Sequence, residues 1–159
     1  MKNAKLAIQD LTVWYNSQEQ STLALDNVCL QVKEGEFVSV VGPSGCGKST
    51  LLKVVAGLLK PSSGTVLIDD RPVSGVPDQI GMVFQNDALL PWKTVWDNVR
   101  LPLEIRKVPR SEQKREVARL LEMVGLKGFE HFYPKQLSGG MRKRVALART
   151  FAYDPSIYL

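Results

Sequence analysis

The sequence has little sulfur and almost no imidazole: two cysteines, Cys29 and Cys46, and a single histidine, His131, among 159 residues. With no CxxC pair, neither a zinc knuckle nor a disulfide framework is expected, and a reducing compartment is. One histidine without companions makes no metal site; within FEHFYPK it reads as a solvated loop residue. No run of about 18 consecutive apolar residues occurs, so no membrane-spanning helix is encoded. The N-terminal MKNAKLAIQDLTV lacks the long apolar stretch and the small-residue cleavage site of a signal peptide. Any membrane contact is therefore expected to run through a partner. The net charge is +5, yet no block of five basic residues exists, MRKR (141–144) being the densest cluster. That distribution argues against nucleic acid as a partner. Internal repeats and low-complexity segments are also missing.

What is present is ordinary globular composition, 44% hydrophobic and 23% charged, in a length that suits one domain. KLAIQDLTVWY (5–15) and LALDNVCLQV (23–32) alternate apolar and polar residues and read as strands, with polar NSQEQST between them. EGEF (34–37) leads into a short apolar β-type run, SVVG (39–42). KSTLLKVVAGLL (48–59) follows with Leu51, Leu52, Val55, Leu58 and Leu59 at helical spacing, ended by Pro61 and Gly64. TVLIDD (65–70) and IGMVFQ (80–85) are two further strands. From about residue 90 the pattern turns helical. SEQKREVARLLEMVGL (111–126) places Val117, Leu120, Leu121 and Val124 on one face, with Ser111 as N-cap and Gly125 as C-cap. MRKRVALARTFAY (141–153) aligns Met141, Val145, Ala148 and Ala152, and SIYL (156–159) begins another strand.

GPSGCGKST, comprising Gly42, Pro43, Ser44, Gly45, Cys46, Gly47, Lys48, Ser49 and Thr50, fits the pattern G-x-x-x-x-G-K-[ST]. A loop that wraps a phosphate chain must turn successive backbone N–H groups inward, and glycines permit both the close approach and the unusual dihedrals. The helix that follows directs the positive end of its dipole at the anion. Lys48 has the reach for the β- and γ-phosphates, and the Ser49 hydroxyl suits Mg²⁺. An apolar strand before the loop and an amphipathic helix after it supply the required context. Kinases, GTPases and transport ATPases all share this loop, so it does not choose among them.

A second glycine turn at a helix start, Leu137, Ser138, Gly139 and Gly140, opens LSGGMRKRVALAR (137–149). Alone it reads as a serine helix cap. Beside a phosphate loop it resembles the signature segment of ABC ATPases, LSGG followed by a basic helix. The resemblance spans essentially the whole chain and is nearest to the ATPase subunits of nitrate, sulfonate and taurine importers. It implies an α/β fold: a P-loop NTPase with a RecA-like core and an antiparallel β layer, plus an α-helical subdomain. It divides residues 1–159 into core and β layer (1–86), helical subdomain (87–140), and signature helix with the start of the next core strand (141–159). It implies ATP and Mg²⁺ as cofactors and Tyr15 as the ring that stacks on adenine, with Trp14 as a rival and core packing as the competing role. It assigns Gln85 to the Q-loop, touching Mg²⁺ and the attacking water. The signature residues would meet the nucleotide held by a second, head-to-tail copy. Further partners are a membrane permease, contacted by Leu89, Leu90 and Trp92 of FQNDALLPWKTVWDNV (84–99) unless these are core residues, and indirectly a substrate-binding protein. The location implied is peripheral, on the cytoplasmic face of the membrane.

Two departures are Met141, where the commonest signature has glutamine, and the lack of the family's usual glycine near Asp70. The family also continues beyond an apolar strand with a metal-holding aspartate and a catalytic glutamate. Here SIYL begins that strand, and Asp154, set off by Pro155, is no substitute. The sequence is therefore expected to be an N-terminal fragment, truncated in its core sheet, that binds nucleotide without hydrolysing it. SVVG is expected to pair in parallel with the strand that SIYL begins, leaving an aggregation-prone apolar edge. The competing identities are a soluble, non-transport ABC ATPase and a non-hydrolysing nucleotide-binding module.

Overall fold

A computed structural model describes residues 4–16 and 21–159, so the centre of the polar NSQEQST segment lies outside the described residues. The chain forms two compact units, Met1–Pro77 and Asp78–Leu159.

The first unit is an antiparallel sheet with one helix. Strands β1 (Leu6–Asn16) and β2 (Ser21–Val32) form a hairpin, and β3 (Ser63–Ile68) and the short β4 (Arg71–Pro72) complete the order β2-β1-β3-β4. Leu6, Ile8, Leu11 and Val13 of β1, Leu25 of β2, and Val66 and Ile68 of β3 are buried. The β1–β2 register slips three times, between Ile8 and Leu11, Leu11 and Val13, and Val13 and Trp14. Asp10 (φ 49°) and Asn27 (φ 47°) take the left-handed conformation at two of these bulges, as short Asx side chains tolerate. Each bulged N–H finds a side chain: Asp10 donates to Cys29 Sγ at 3.3 Å, and Asn27 to Thr12 Oγ1 at 3.1 Å.

Helix α1 (Lys48–Val55) buries Leu51, Val54 and Val55. It stops four residues short of the run expected from the apolar spacing. Gly57, at φ 70°, donates to Val54 O while Leu58 donates to Lys53 O, a closing pair that ends the helix ahead of Pro61. A Cβ at Gly57 would collide with the Gly75 carbonyl. Residues 39–42 also depart from expectation. SVVG has no strand pairing, and its neighbourhood is open, with Phe37 92% and Val41 91% exposed.

The second unit is mainly helical. The strand begun by SIYL, β6 (Ile157–Tyr158), pairs in parallel with β5 (Ile80–Gly81) rather than with SVVG. Val83 N–H donating to Leu159 O carries the pairing further, although the ladder covers only the start of IGMVFQ. Helices α2 (Val95–Ile105), α3 (Arg110–Met123) and α4 (Gly139–Ala152) enclose one core. Val95, Val99, Val117, Leu120, Leu121, Leu126, Leu137, Val145, Ala148 and Ala152 meet there. The apolar stripes expected on α3 and α4 supply it, with Val124 and Met141 only partly buried at its margin. The N-cap of α3 is Pro109, not Ser111, because the fixed φ of proline already starts the turn two residues earlier. The C-cap of α3 is Val124, not Gly125; Gly125, at φ 67°, follows it and donates to Glu122 O while Leu126 donates to Leu121 O. β5 pairs with β6, and α4 shares its core with α2 and α3.

Candidate functional site

The phosphate-loop candidates fall on the connection into α1. Gly45 (φ 83°) and Gly47 (φ 95°) carry the left-handed dihedrals that bend the loop. At Gly47 a Cβ would lie 2.5 Å from the Ala24 carbonyl and 2.9 Å from Leu25 Cδ2, and at Gly42 it would lie 2.7 Å from Cys46 Sγ. Only hydrogen fits at Gly47, whereas at Gly42 the Cys46 side chain would have to move. Gly47 is also the N-cap of α1, which has no side-chain cap and no acidic residue in its first turn. The first helical N–H groups therefore lack both the intrahelical partner that every helix start lacks and the usual substitute. The Lys48 ammonium reaches back across the loop, donating to Gly42 O at 2.7 Å and Pro43 O at 2.6 Å, with Cys46 Sγ at 3.5 Å. A cationic amine and uncapped N–H groups on a glycine-rich loop fit a phosphate chain. Ser49 is exposed, on the first turn of the same helix. Among the described residues no cluster of His, Cys, Asp or Glu forms a metal cage.

Tyr15 and Thr50 lie together at this loop. The two hydroxyls are 3.3 Å apart, which places the half-exposed Tyr15 ring beside the first turn of α1. Trp14 is equally exposed, but the next residue along a strand points to the opposite face. Tyr15 is thus the aromatic on the phosphate-loop side.

The second unit holds the other candidates. Ser138 is the N-cap of α4, its Oγ accepting from Met141 N–H at 3.2 Å, and Gly139 and Gly140 are exposed at the same helix start. The Leu137 side chain is 5% exposed and packed in the helical core, where it anchors the turn. Gln85 is exposed on the irregular segment after β5. His131 is exposed on a loop, as expected of a lone histidine.

The LLPW segment divides. Leu89 packs against the helical core, whereas Trp92 is 71% exposed. The fixture of this loop is Asn98, fully buried and missed by sequence reasoning. Its Oδ1 accepts from Leu90 N–H at 2.9 Å, and its Nδ2 lies within 3.1 Å of the carbonyls of Leu90, Lys93 and Thr94. Thr94 caps α2 four residues earlier by accepting from Asp97 N–H. A buried amide one turn after a threonine cap is a signal present in TVWDN, though a weak one. Arg142 and Arg149 were also passed over. Arg142 donates through Nε to Asp87 Oδ2 at 3.0 Å and through NH1 to Leu137 O at 2.8 Å. Arg149 donates to the carbonyls of Ala88 at 2.7 Å and Asp87 at 3.4 Å, and burial pushes its guanidinium pKa down.

With this geometry in place, the ABC transporter family profile matches residues 25–159. The chain belongs to the ABC transporter family. An uncharacterised ABC transporter ATP-binding protein of Methanocaldococcus jannaschii is 48% identical over 98% of this chain and 58% of its own. A taurine import ATP-binding protein of Yersinia pestis is 46% identical over 90% of this chain and 56% of its own. This ABC chain thus spans under three-fifths of the length of these relatives. Among solved structures, a dimeric ATP-binding cassette in a post-hydrolysis state with ADP and phosphate superposes at a TM-score of 0.88, with 38% identity over 96% of this chain and 72% of that one. A component of a Clostridium perfringens ABC transporter complex superposes at 0.83, with 30% identity over 98% of this chain and 64% of that one. The fold is the P-loop NTPase fold of the ABC cassettes, α/β with an antiparallel layer.

Proposed function

We propose that this chain is the ATP-binding part of an importer ATPase for a small anionic solute of the nitrate, sulfonate or taurine type. The observation that carries the reading is the loop at 42–50, where the Lys48 ammonium and an uncapped helix start come together at Gly47, a position with no room for a Cβ. Tyr15 beside Thr50 supplies a ring for the base, and Ser49 supplies a hydroxyl for Mg²⁺. Mg²⁺ would neutralise phosphate charge, with Gln85 as its second protein contact. Ser138, Gly139 and Gly140 serve the nucleotide of a second, head-to-tail copy, a use that the cassette solved as a dimer makes reasonable. The taurine import relative supports the solute class, and the exposed Trp92 supports a membrane permease as partner, itself served by a substrate-binding protein. Such a subunit works at the cytoplasmic face of the membrane, where hydrolysis of ATP by the whole protein drives uptake.

Calorimetric titration with ATP, with and without Mg²⁺, tests the binding reading. Saturable binding that Mg²⁺ strengthens and that Tyr15→Ala weakens is the expected result. Heat indistinguishable from buffer would remove the nucleotide from this site. For the solute, co-expression with a permease and binding protein should give ATP-dependent taurine or sulfonate uptake in vesicles. Uptake restricted to a cationic or neutral solute would overturn that class.

A further inference from the structure

Arg142 and Arg149 stand seven residues apart on α4, about two turns, so both guanidiniums leave the same face of the helix. Both end on one short stretch of backbone. Asp87 receives Arg142 on its carboxylate and Arg149 on its carbonyl, and Ala88, held at a positive φ of 47°, receives Arg149 on its carbonyl. Arg142 has a second role, since its NH1 holds the carbonyl of Leu137, the residue that leads directly into the Ser138–Gly140 turn. A single planar guanidinium thus fastens the start of the signature turn to the residue two places after Gln85. Its fixed fork of donors makes the two contacts one geometric constraint. Arg149 adds a requirement of its own. Partly buried beside backbone carbonyls, it needs those acceptors where they are, because a desolvated charge without hydrogen bonds is costly. An alanine at positive φ has no intrinsic reason to stay there, so the 87–88 bend is maintained by the arginines that grip it.

We infer that Arg142 and Arg149 are positioning residues that clasp the Gln85 segment and the signature turn into one body, so that a displacement of either is passed to the other. The inference rests on the proposed ATPase function only for its significance. The clasp itself is a property of the second unit and is testable without nucleotide. In a subunit that hydrolyses ATP, the consequence is that the glutamine serving its own nucleotide and the turn serving the partner's cannot be set independently.

The test is amide hydrogen exchange on the protein without nucleotide, comparing Asp87→Asn, Arg142→Gln and the exchanged pair Asp87→Arg/Arg142→Asp. Asp87→Asn changes one atom on an accessible residue and leaves the helical core intact. It is expected to speed exchange about fivefold to tenfold at residues 86–90 and also at 138–141, as loss of a charge-assisted contact implies. Amides of Val117–Leu121 should be unchanged. The exchanged pair should restore protection at 86–90 but not at 138–141, because an aspartate at position 142 has no donor for the Leu137 carbonyl. A role confined to the local bend would move only residues 86–90, and that result overturns the inference. Equal acceleration throughout α2 and α3 would also overturn it, by showing a global loss of stability. Failure of ATP to bind, with the two-segment response intact, would count against the proposed function and leave the clasp standing.

Discussion

The Lys48 ammonium is satisfied by two carbonyls of its own loop. A phosphate must draw it away from them, and the gain is a contact between full charges. Lys48→Ala is therefore expected to weaken ATP binding by roughly 1.5–3 kcal/mol, read as the change in calorimetric affinity. Unchanged affinity would mean that the loop does not hold the nucleotide. The cysteines give a second measurement. Both are exposed, but Cys29 is engaged with Asp10, donating to its carboxylate and accepting from its N–H, whereas Cys46 lies in the loop beside the Lys48 ammonium. A maleimide should modify Cys46 faster, and ATP should slow that reaction alone; mass spectrometry showing equal protection at both thiols would contradict it. At this scale the site was legible because the loop residues are contiguous and their spacing is itself the chemistry. Leu137 is contiguous with Ser138, but its side chain is buried in the helical core, which contiguity does not tell.

Helix boundaries depended on chemistry finer than apolar spacing. Leu58 and Leu59 continue the pattern of α1, yet Gly57 turns the chain away before them. Ser111 looked like a cap, but the proline two residues earlier had already set the dihedral. α2 was the least legible element, since Pro102 lies inside it and its start depends on Thr94 and Asn98 acting together. Asn98 is also its vulnerable point. Asn98→Ala would leave Leu90 N–H and three carbonyl contacts unmet, an expected loss of about 1–3 kcal/mol in chemical unfolding. The exposed Trp92 should then report a looser loop by faster acrylamide quenching, whereas unchanged stability and quenching would show that the loop holds its shape without the amide. At the start of α4, Ser138→Ala removes the side chain that caps that turn. It should cost about 1 kcal/mol of stability, with Ser138→Thr nearly neutral. A Ser138→Thr variant as destabilised as the alanine would point away from capping.

For the whole molecule, local pattern indicated which segments are apolar and extended but not which of them pair. Both SVVG and SIYL read as strands, and only SIYL finds a ladder, with residues 79–83. Pairing is a long-range choice that periodicity does not encode. Phe37 and Val41 are also exposed, and an apolar stretch of this kind is expected to favour self-association of this chain. Phe37→Ser with Val41→Ser should lower concentration-dependent light scattering, and identical scattering would place association elsewhere. The other border of the molecule is different. Along β2 the bulges at Asn27 and beside Leu25 interrupt the outward row of donors and acceptors, so a foreign strand laid against it loses step after about three residues. Growth by strand addition is thereby discouraged at this margin with no helix or charged fringe needed to guard it, and the hairpin that presents Tyr15 is also the finished hem of the sheet.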